Sequence, residues 1–292
     1  MFTIAAIVRS ARPGQWVKNV LVFAPLVFAQ QALEPRAVGG TLAAFALFCL
    51  ASGAVYLVND LLDRDQDRLH PDKRRRPIAA GELAPAPAAT AAALAGAGAL
   101  GGAALVDPRL ALVLGIYLAQ SLAYSRALKH VVILDVMTIA LGFVLRVVAG
   151  GVAAGVALST WLLLCTSLLA LFLGFGKRRH ELVLLEAEAT AHRPILSEYS
   201  PYFLDQMIAV VTTSTLVCYA LYTMDPAVHQ KLHTARLPLT IPFVLYGIFR
   251  YLYLVHQKEG GGDPSQVVLA DRPLLVNILL WIAAVFAILY TR

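Results

Sequence analysis

Long apolar stretches dominate the chain and short polar runs separate them. A helix that crosses a bilayer needs about 20 mostly apolar residues. Nine stretches meet or approach that length: roughly 16–33, 37–58, 84–105, 109–124, 132–150, 158–176, 203–224, 237–256 and 273–290. The third is weakest in hydropathy because Ala and Gly fill it, but small residues of that kind let helices pack closely inside a membrane. Pro108 sets the expected start of the short fourth stretch. The pattern predicts an all-helical, polytopic membrane protein. It would be a single integral membrane domain over 1–292 with nine transmembrane helices, and loops 59–83 and 176–203 would cap one site.

Composition sharpens this picture. Of the 292 residues, 59% are hydrophobic and 14% charged, with a mean hydropathy of +0.70. Soluble domains carry about a quarter charged residues, so an ordinary water-soluble enzyme is excluded. The charge is also concentrated. Residues 59–82 hold 12 of the 42 acidic and basic side chains and residues 177–205 hold 9 more. Half of all charge thus falls in the two loops that follow the second and sixth stretches. Cys49, Cys165 and Cys218 lie inside apolar runs without CxxC spacing, which argues against a disulfide framework or a zinc site. Arg9 and Arg12 follow the first apolar residues instead of preceding them, the reverse of a secretory signal.

The net charge of +6 could suggest nucleic acid, but most basic residues border the apolar stretches, and orientation explains them better. With nine spans and a cytoplasmic N-terminus, 18 Lys and Arg fall inside and five outside, and Arg146 lies within the fifth span. The positive-inside rule then predicts a plasma-membrane protein with the N-terminus and both charged loops cytoplasmic and the C-terminus outside. The two loops stand four spans apart, which hints at two tandem halves sharing one site.

Chemistry enters at the end of the second stretch, where Asn59 and Asp60 are followed by Asp63, Arg64, Asp65, Asp67 and Arg68. At 3.6 residues per turn, Asp60, Asp63 and Asp67 lie within about 60° of one another, Asn59 flanks them, and Asp65 points away. Three carboxylates on one face repel. A hard divalent cation resolves that repulsion, and Mg2+ typically takes one or two carboxylates together with substrate phosphates. The plain alternative is a solvated helix end with Asp and Arg paired along it. Carboxylates that emerge directly from a membrane span favour function.

The string NDxxDxxxD, here Asn59, Asp60, Asp63 and Asp67, resembles the first Asp-rich motif of the UbiA superfamily of membrane prenyltransferases, and Asp72–Gly81 resembles the family's DKxxRP segment. The resemblance implies a nine-helix fold with a cytoplasmic-side active site. It makes Asp60, Asp63 and Asp67 catalytic, with Asn59, as holders of Mg2+ and of the donor's pyrophosphate, and Arg64 and Arg68 substrate-binding.

After the sixth stretch the family carries a second Asp-rich motif, whereas this chain reads Gly176-Lys177-Arg178-Arg179-His180-Glu181. Lys and Arg suit a bare phosphate better than a metal-chelated diphosphate, although the same run would also serve as topogenic charge. Other strings fit the same departure: Arg12 to Asn19, Tyr124 to Lys129, Leu134-Asp135, and Gly142 to Arg146. Together they resemble the UbiA-type branch that transfers phosphoribosyl from phosphoribosyl pyrophosphate to decaprenyl or another polyprenyl phosphate, a step that feeds arabinan and cell-wall precursors.

That resemblance implies substrate-binding roles for Lys18, Asn19, Tyr124, Lys129, Asp135, Arg146, Lys177, Arg178, Arg179 and Glu181. Read from the residues alone, Gln15, Lys18 and Asn19 share one α-helical face, and Trp16 is an interfacial anchor. Asp135 and Arg146 stand three turns apart and could equally form a structural network. Arg126, His70 and His130 are read as surface residues. Two other functions compete: a conventional prenyltransferase that uses a prenyl diphosphate and an aromatic acceptor, and a transporter of an anionic metabolite. Association with further copies of the chain stays open.

Overall fold

The structure, a computed structural model, describes residues 2–69, 73–184, 194–258 and 264–291. The expectations that involve His70, Asp72 and residues 185–193 of the second loop lie outside the described residues. Every regular element among the described residues is helical. The chain divides into two compact units: residues 1–26, 34–138 and 145–157, and residues 27–33, 139–144 and 158–292.

The first unit begins with α1 (Phe2–Ser10), a 3-10 segment (Pro13–Phe23) and α2 (Ala24–Phe28), whose last residues belong to the second unit. The long α3 (Pro35–Leu62) and short α4 (Arg64–Leu69) follow, then α5 (Pro85–Val106), α6 (Pro108–Arg126) and α7 (Leu134–Ala154). Its core includes Phe48, Leu110, Leu114 and Tyr117. The Ala- and Gly-rich α5 packs against α3 as its composition predicts. Ala88, Ala92, Ala99 and Ala103 are buried, and a Cβ added at Gly102 would lie 2.7 Å from Leu47 Cδ2.

The second unit contains α8 (Thr160–Leu184), α9 (Pro201–Met224), α10 (Pro226–Leu232), α11 (Ile241–Gln257), α12 (Pro264–Ala270) and α13 (Arg272–Tyr290). Tyr219, Tyr222, Leu237 and Val285 form its core with Trp161 and Trp281 packed on them. Several helices start on the same local signal. Asp107, Ser200, Asp225 and Asp271 accept a backbone N–H at the N-terminus with a proline one or two places on. The side chain satisfies an otherwise orphaned donor, and proline supplies a preset φ where no donor is needed.

Among the described residues seven helices, not nine, are long and apolar enough to cross a membrane, starting at Pro35, Pro85, Leu134, Thr160, Pro201, Leu237 and Arg272. The chain is a multi-pass membrane protein. The other two expected spans do not meet that criterion. Residues 16–28 fall in the 3-10 segment and α2, residues 29–33 are non-helical, and α6 is diluted by Gln120, Ser121 and Ser125. The expected loops are also shorter. α3 continues to Leu62, and α8 continues to Leu184, so the basic run 177–179 is helical.

Candidate functional site

The acidic motif spans two helices instead of one. α3 ends at Leu62, Asp63 caps it with φ −94° and ψ 5°, and α4 starts at Arg64. Two i→i+4 bonds, Asp63 N–H to Asn59 O (2.9 Å) and Asp67 N–H to Asp63 O (2.8 Å), carry the helical spacing through the break. Asp60 and Asp67 therefore still share a side. One guanidinium nitrogen, Arg76 Nη1, donates to both Asp60 Oδ1 (3.2 Å) and Asp67 Oδ2 (2.6 Å). Asp65 points away, exposed and paired with Arg64 (3.0 Å) and Arg68 (3.6 Å). Arg68 also donates to the Ala79 carbonyl at 3.2 Å. Arg64 and Arg68, expected to bind substrate, are thus engaged with Asp65 and the backbone.

Each of the three carboxylates meets a cation from elsewhere in the first unit. Arg12 pairs with Asp60 Oδ1, Lys129 donates to Asp63 Oδ1 at 2.7 Å, and Arg76 bridges as above. Asp60 and Asp67 are buried, and burial of an unpaired carboxylate would be strongly unfavourable. Asn59 Oδ1 accepts from the Ser125 hydroxyl, and both residues, with Ser121, line a mostly apolar cavity of about 150 Å³ among α3, α5 and α6. Arg12 is further held over the Tyr56 ring, 4.9 Å from its centroid. Arg12 and Arg76 fall inside the strings that resemble the family, but nothing in the sequence points to a role for either. Each precedes a proline, and each meets its carboxylate across a chain separation that no periodicity reveals.

The 3-10 winding of Pro13–Phe23 corrects one predicted face. With three residues per turn, positions i and i+3 eclipse, so Gln15 and Lys18 align while Asn19 belongs to the ridge of Trp16 and Val22. Lys18 Nζ donates to Gln15 Oε1 at 2.5 Å, and Asn19 and Val22 are buried. Asn19 Oδ1 accepts from Arg146 Nε (2.7 Å) and from the Ser52 hydroxyl (3.4 Å), and its amide donates to Cys49 Sγ (3.3 Å). Arg146 also donates to Tyr117 OH (3.1 Å) and lies over the Tyr117 and Phe48 rings. Asn19 and Arg146, both expected to bind substrate, are members of one buried network inside the first unit. Asp135 is fully buried at the start of α7, and Tyr124 is half-buried on α6 beside Ser125.

In the second unit the basic run separates into three environments. Arg178 is 1% exposed, the largest fully buried side chain among the described residues, and donates to Glu181 Oε2 at 2.5 Å. Lys177 is partly exposed, with Nζ 3.9 Å from Glu181 Oε1. Arg179 donates to Asp205 Oδ1 at 2.5 Å, and His256 Nε2 lies 3.2 Å from the same oxygen. Asp205 and His256 carried no motif in the sequence and were missed.

Among the described residues no group of three or more His, Cys, Asp or Glu is gathered closely enough to hold a metal ion alone. The arginines and the lysine stand among the carboxylates instead. The donor set is nevertheless all hard oxygen. Among the described residues Asp60 Oδ2, which is buried, has no hydrogen-bond partner, which is rare for a carboxylate oxygen. Mg2+ needs only one or two protein carboxylates when phosphates complete its shell, so these residues fit that ion.

The UbiA prenyltransferase family model matches residues 20–270. A decaprenyl-phosphate phosphoribosyltransferase of Mycobacterium tuberculosis is 37% identical over 97% of this chain and 94% of its own length. The same-named protein of Corynebacterium glutamicum is 37% identical over 97% of this chain and 86% of its own. Among solved structures, a UbiA homolog from Archaeoglobus fulgidus bound to GPP and Mg2+ superposes with a TM-score of 0.72 at 20% identity, covering 97% of this chain and 99% of that one. The fold is therefore the all-helical UbiA-like membrane fold.

Proposed function

The chain belongs to the UbiA prenyltransferase family, and on that premise we propose that it transfers the 5-phosphoribosyl group of phosphoribosyl pyrophosphate to decaprenyl or another polyprenyl phosphate and releases pyrophosphate. The near full-length similarity to phosphoribosyltransferases of that type carries the reading. The site chemistry supports it. One unit gathers carboxylates and cations suited to a metal-bound diphosphate, and the other has Lys177 and Arg179 where an acidic motif would be expected.

Asp60 through Oδ2, together with Asp63, Asp67 and Asn59, would hold Mg2+. The ion, when bound, stabilises negative charge on the departing pyrophosphate. Arg12, Arg76 and Lys129 stand beside those carboxylates and supply positive charge to the diphosphate oxygens. A lipid phosphate oxygen forms the new bond to ribose C1 as the C1–O bond to pyrophosphate breaks, and pyrophosphate leaves with the electron pair. The acceptor is already anionic, so no general base is required. Lys177 and Arg179 bind a phosphate, that of the lipid or the 5-phosphate of the donor. With nine crossings, residues 16–33 and α6 included, the two charged segments, near 59–83 and 176–203, would lie on the cytoplasmic side of the plasma membrane with the N-terminus, and the C-terminus outside.

The test is a donor-specific transfer assay on purified protein with mass analysis of the lipid product. Pyrophosphate release and a phosphoribosylated lipid, dependent on Mg2+ and lost in Asp60→Asn and Asp63→Asn, are expected. Product only from a prenyl diphosphate with an aromatic acceptor would replace this reading with conventional prenyl transfer. Uptake of phosphoribosyl pyrophosphate into proteoliposomes without product would replace it with transport.

A further inference from the structure

Arg12 occupies a backbone conformation that ordinary side chains avoid. Its φ is 51° and ψ 65°, left-handed, immediately before Pro13. Residues before proline are pushed to extended conformations, and a non-glycine residue held left-handed is strained. Glycine would relieve the backbone, yet the position carries a long cation that ends on Asp60 and over Tyr56. Something must hold the following segment firmly enough to impose this geometry.

Two residues one turn apart on α7 supply that hold. Arg146 reaches the 3-10 segment through Asn19, as described above. Gly150 meets Val22 of the same segment so closely that a Cβ would overlap the Val22 carbonyl. Absence of a side chain at one position and a buried guanidinium at the next turn fix the segment by approach and by hydrogen bonding together. Interior packing transmits such constraints because it has few voids to absorb them.

We propose that Arg146 and Gly150 are positioning residues for diphosphate binding. They dock Pro13–Phe23 so that Arg12, at its head, stays on Asp60 Oδ1 and leaves Oδ2 open. Neither residue touches substrate. The inference rests on the reading of Asp60 as part of a diphosphate site, but it is the same for a phosphoribosyl or a prenyl diphosphate donor.

Arg146→Lys, Asn19→Ala and Gly150→Ala in the full-length protein test it. Gly150→Ala is the most direct, and the other two keep the test decisive if that variant does not fold. Hydrogen exchange over residues 13–23 should speed up in each folded variant. The rise in Tm given by inorganic pyrophosphate with Mg2+ should shrink relative to wild type. KM for the diphosphate donor should rise about tenfold, equivalent to about 1.4 kcal/mol, with KM for the acceptor unchanged. A purely structural role would lower the basal Tm while leaving the ligand-induced rise and both KM values as in wild type, and that result would overturn the proposal. So would an equal rise in both KM values. If wild-type protein turns over only a prenyl diphosphate, the phosphoribosyl reading falls, and the same donor-to-acceptor contrast still decides the roles of Arg146 and Gly150.

Discussion

Lys129 Nζ donates to Asp63 Oδ1 at 2.7 Å across 66 residues of chain. This contact ties the short turn after α6 to the break between α3 and α4, at the one carboxylate of the three that is only half-buried. Hydrogen bonds to charged groups contribute about 1.5–3 kcal/mol. Lys129→Ala should lower kcat/KM for phosphoribosyl pyrophosphate by roughly tenfold to a hundredfold, since each 1.4 kcal/mol is a factor of ten. Because Asp63→Asn removes turnover, the coupling is read in the Tm rise given by inorganic pyrophosphate with Mg2+: the double variant should lose little more of it than Asp63→Asn alone. Additive losses of that rise would show that the two act independently.

Arg178 and Arg179 are neighbours with opposite expectations. Arg178 is buried against Glu181, whereas Arg179 is partly exposed and reaches Asp205. Loss of one partner from a buried ion pair costs about 3–5 kcal/mol, so Arg178→Met should lower Tm sharply. Arg179→Met should leave Tm close to wild type and raise KM for one of the two phosphate substrates. Thermal unfolding in detergent and kinetics on the same preparations decide the matter. A reversed pattern would move the phosphate role to Arg178.

The contact of α5 with α3 predicts intolerance of bulk. Gly102→Leu and Ala99→Leu would force side chains into space already filled, and overpacking typically costs about 1–3 kcal/mol. Leu105, 91% exposed on the same helix, should accept Ala with little change. Tm values of the three variants provide the check.

Asp271 receives bonds from Arg250 (2.8 and 3.1 Å) and from the Leu274 backbone N–H (2.9 Å). The Arg250 hydrogen bond above all holds its carboxyl below the usual range, and Asp107 and Asp225 are lowered chiefly by Arg109 and Trp161. A carboxyl whose folded pKa is depressed stabilises the fold fully above its unfolded value, near 4, and loses that contribution as pH falls through the folded value. Tm should therefore hold from neutral pH to about 5 and decline below 4. Asp271→Asn should flatten part of that decline. An unchanged acid limb in the variant would remove Asp271 from the account.

Much of this was legible from residue order alone. Helices α3, α5, α7, α8, α9, α11 and α13 follow from apolar length, and the Ala and Gly of α5 announced close packing. The acidic motif was also visible, because Asp60 and Asp67 keep helical register despite the break at Asp63. Two things were hidden. An α-helical period at 13–23 groups Asn19 with Lys18, but tertiary contacts wind that segment as a 3-10 helix and turn Asn19 inward. Arg12 and Arg76 meet Asp60 across 48 and 16 residues, and no local pattern encodes such pairings. Burial likewise separates Arg178 from Arg179, which look alike as letters.

The pairing of three carboxylates with three cations has a further consequence. Taken together, Asp60, Asp63 and Asp67 with Arg12, Arg76 and Lys129 are close to electroneutral. On the proposed reading, a divalent cation on Asp60 Oδ2 would leave Arg12 in place on Oδ1, and the charge it adds would be balanced by the diphosphate, so metal and anion would enter as a matched pair. Neither alone is favoured, since a lone cation would strand positive charge and a lone anion would strand negative charge beside a low-dielectric membrane. The charge balance of the free protein would thereby favour joint loading of metal and diphosphate.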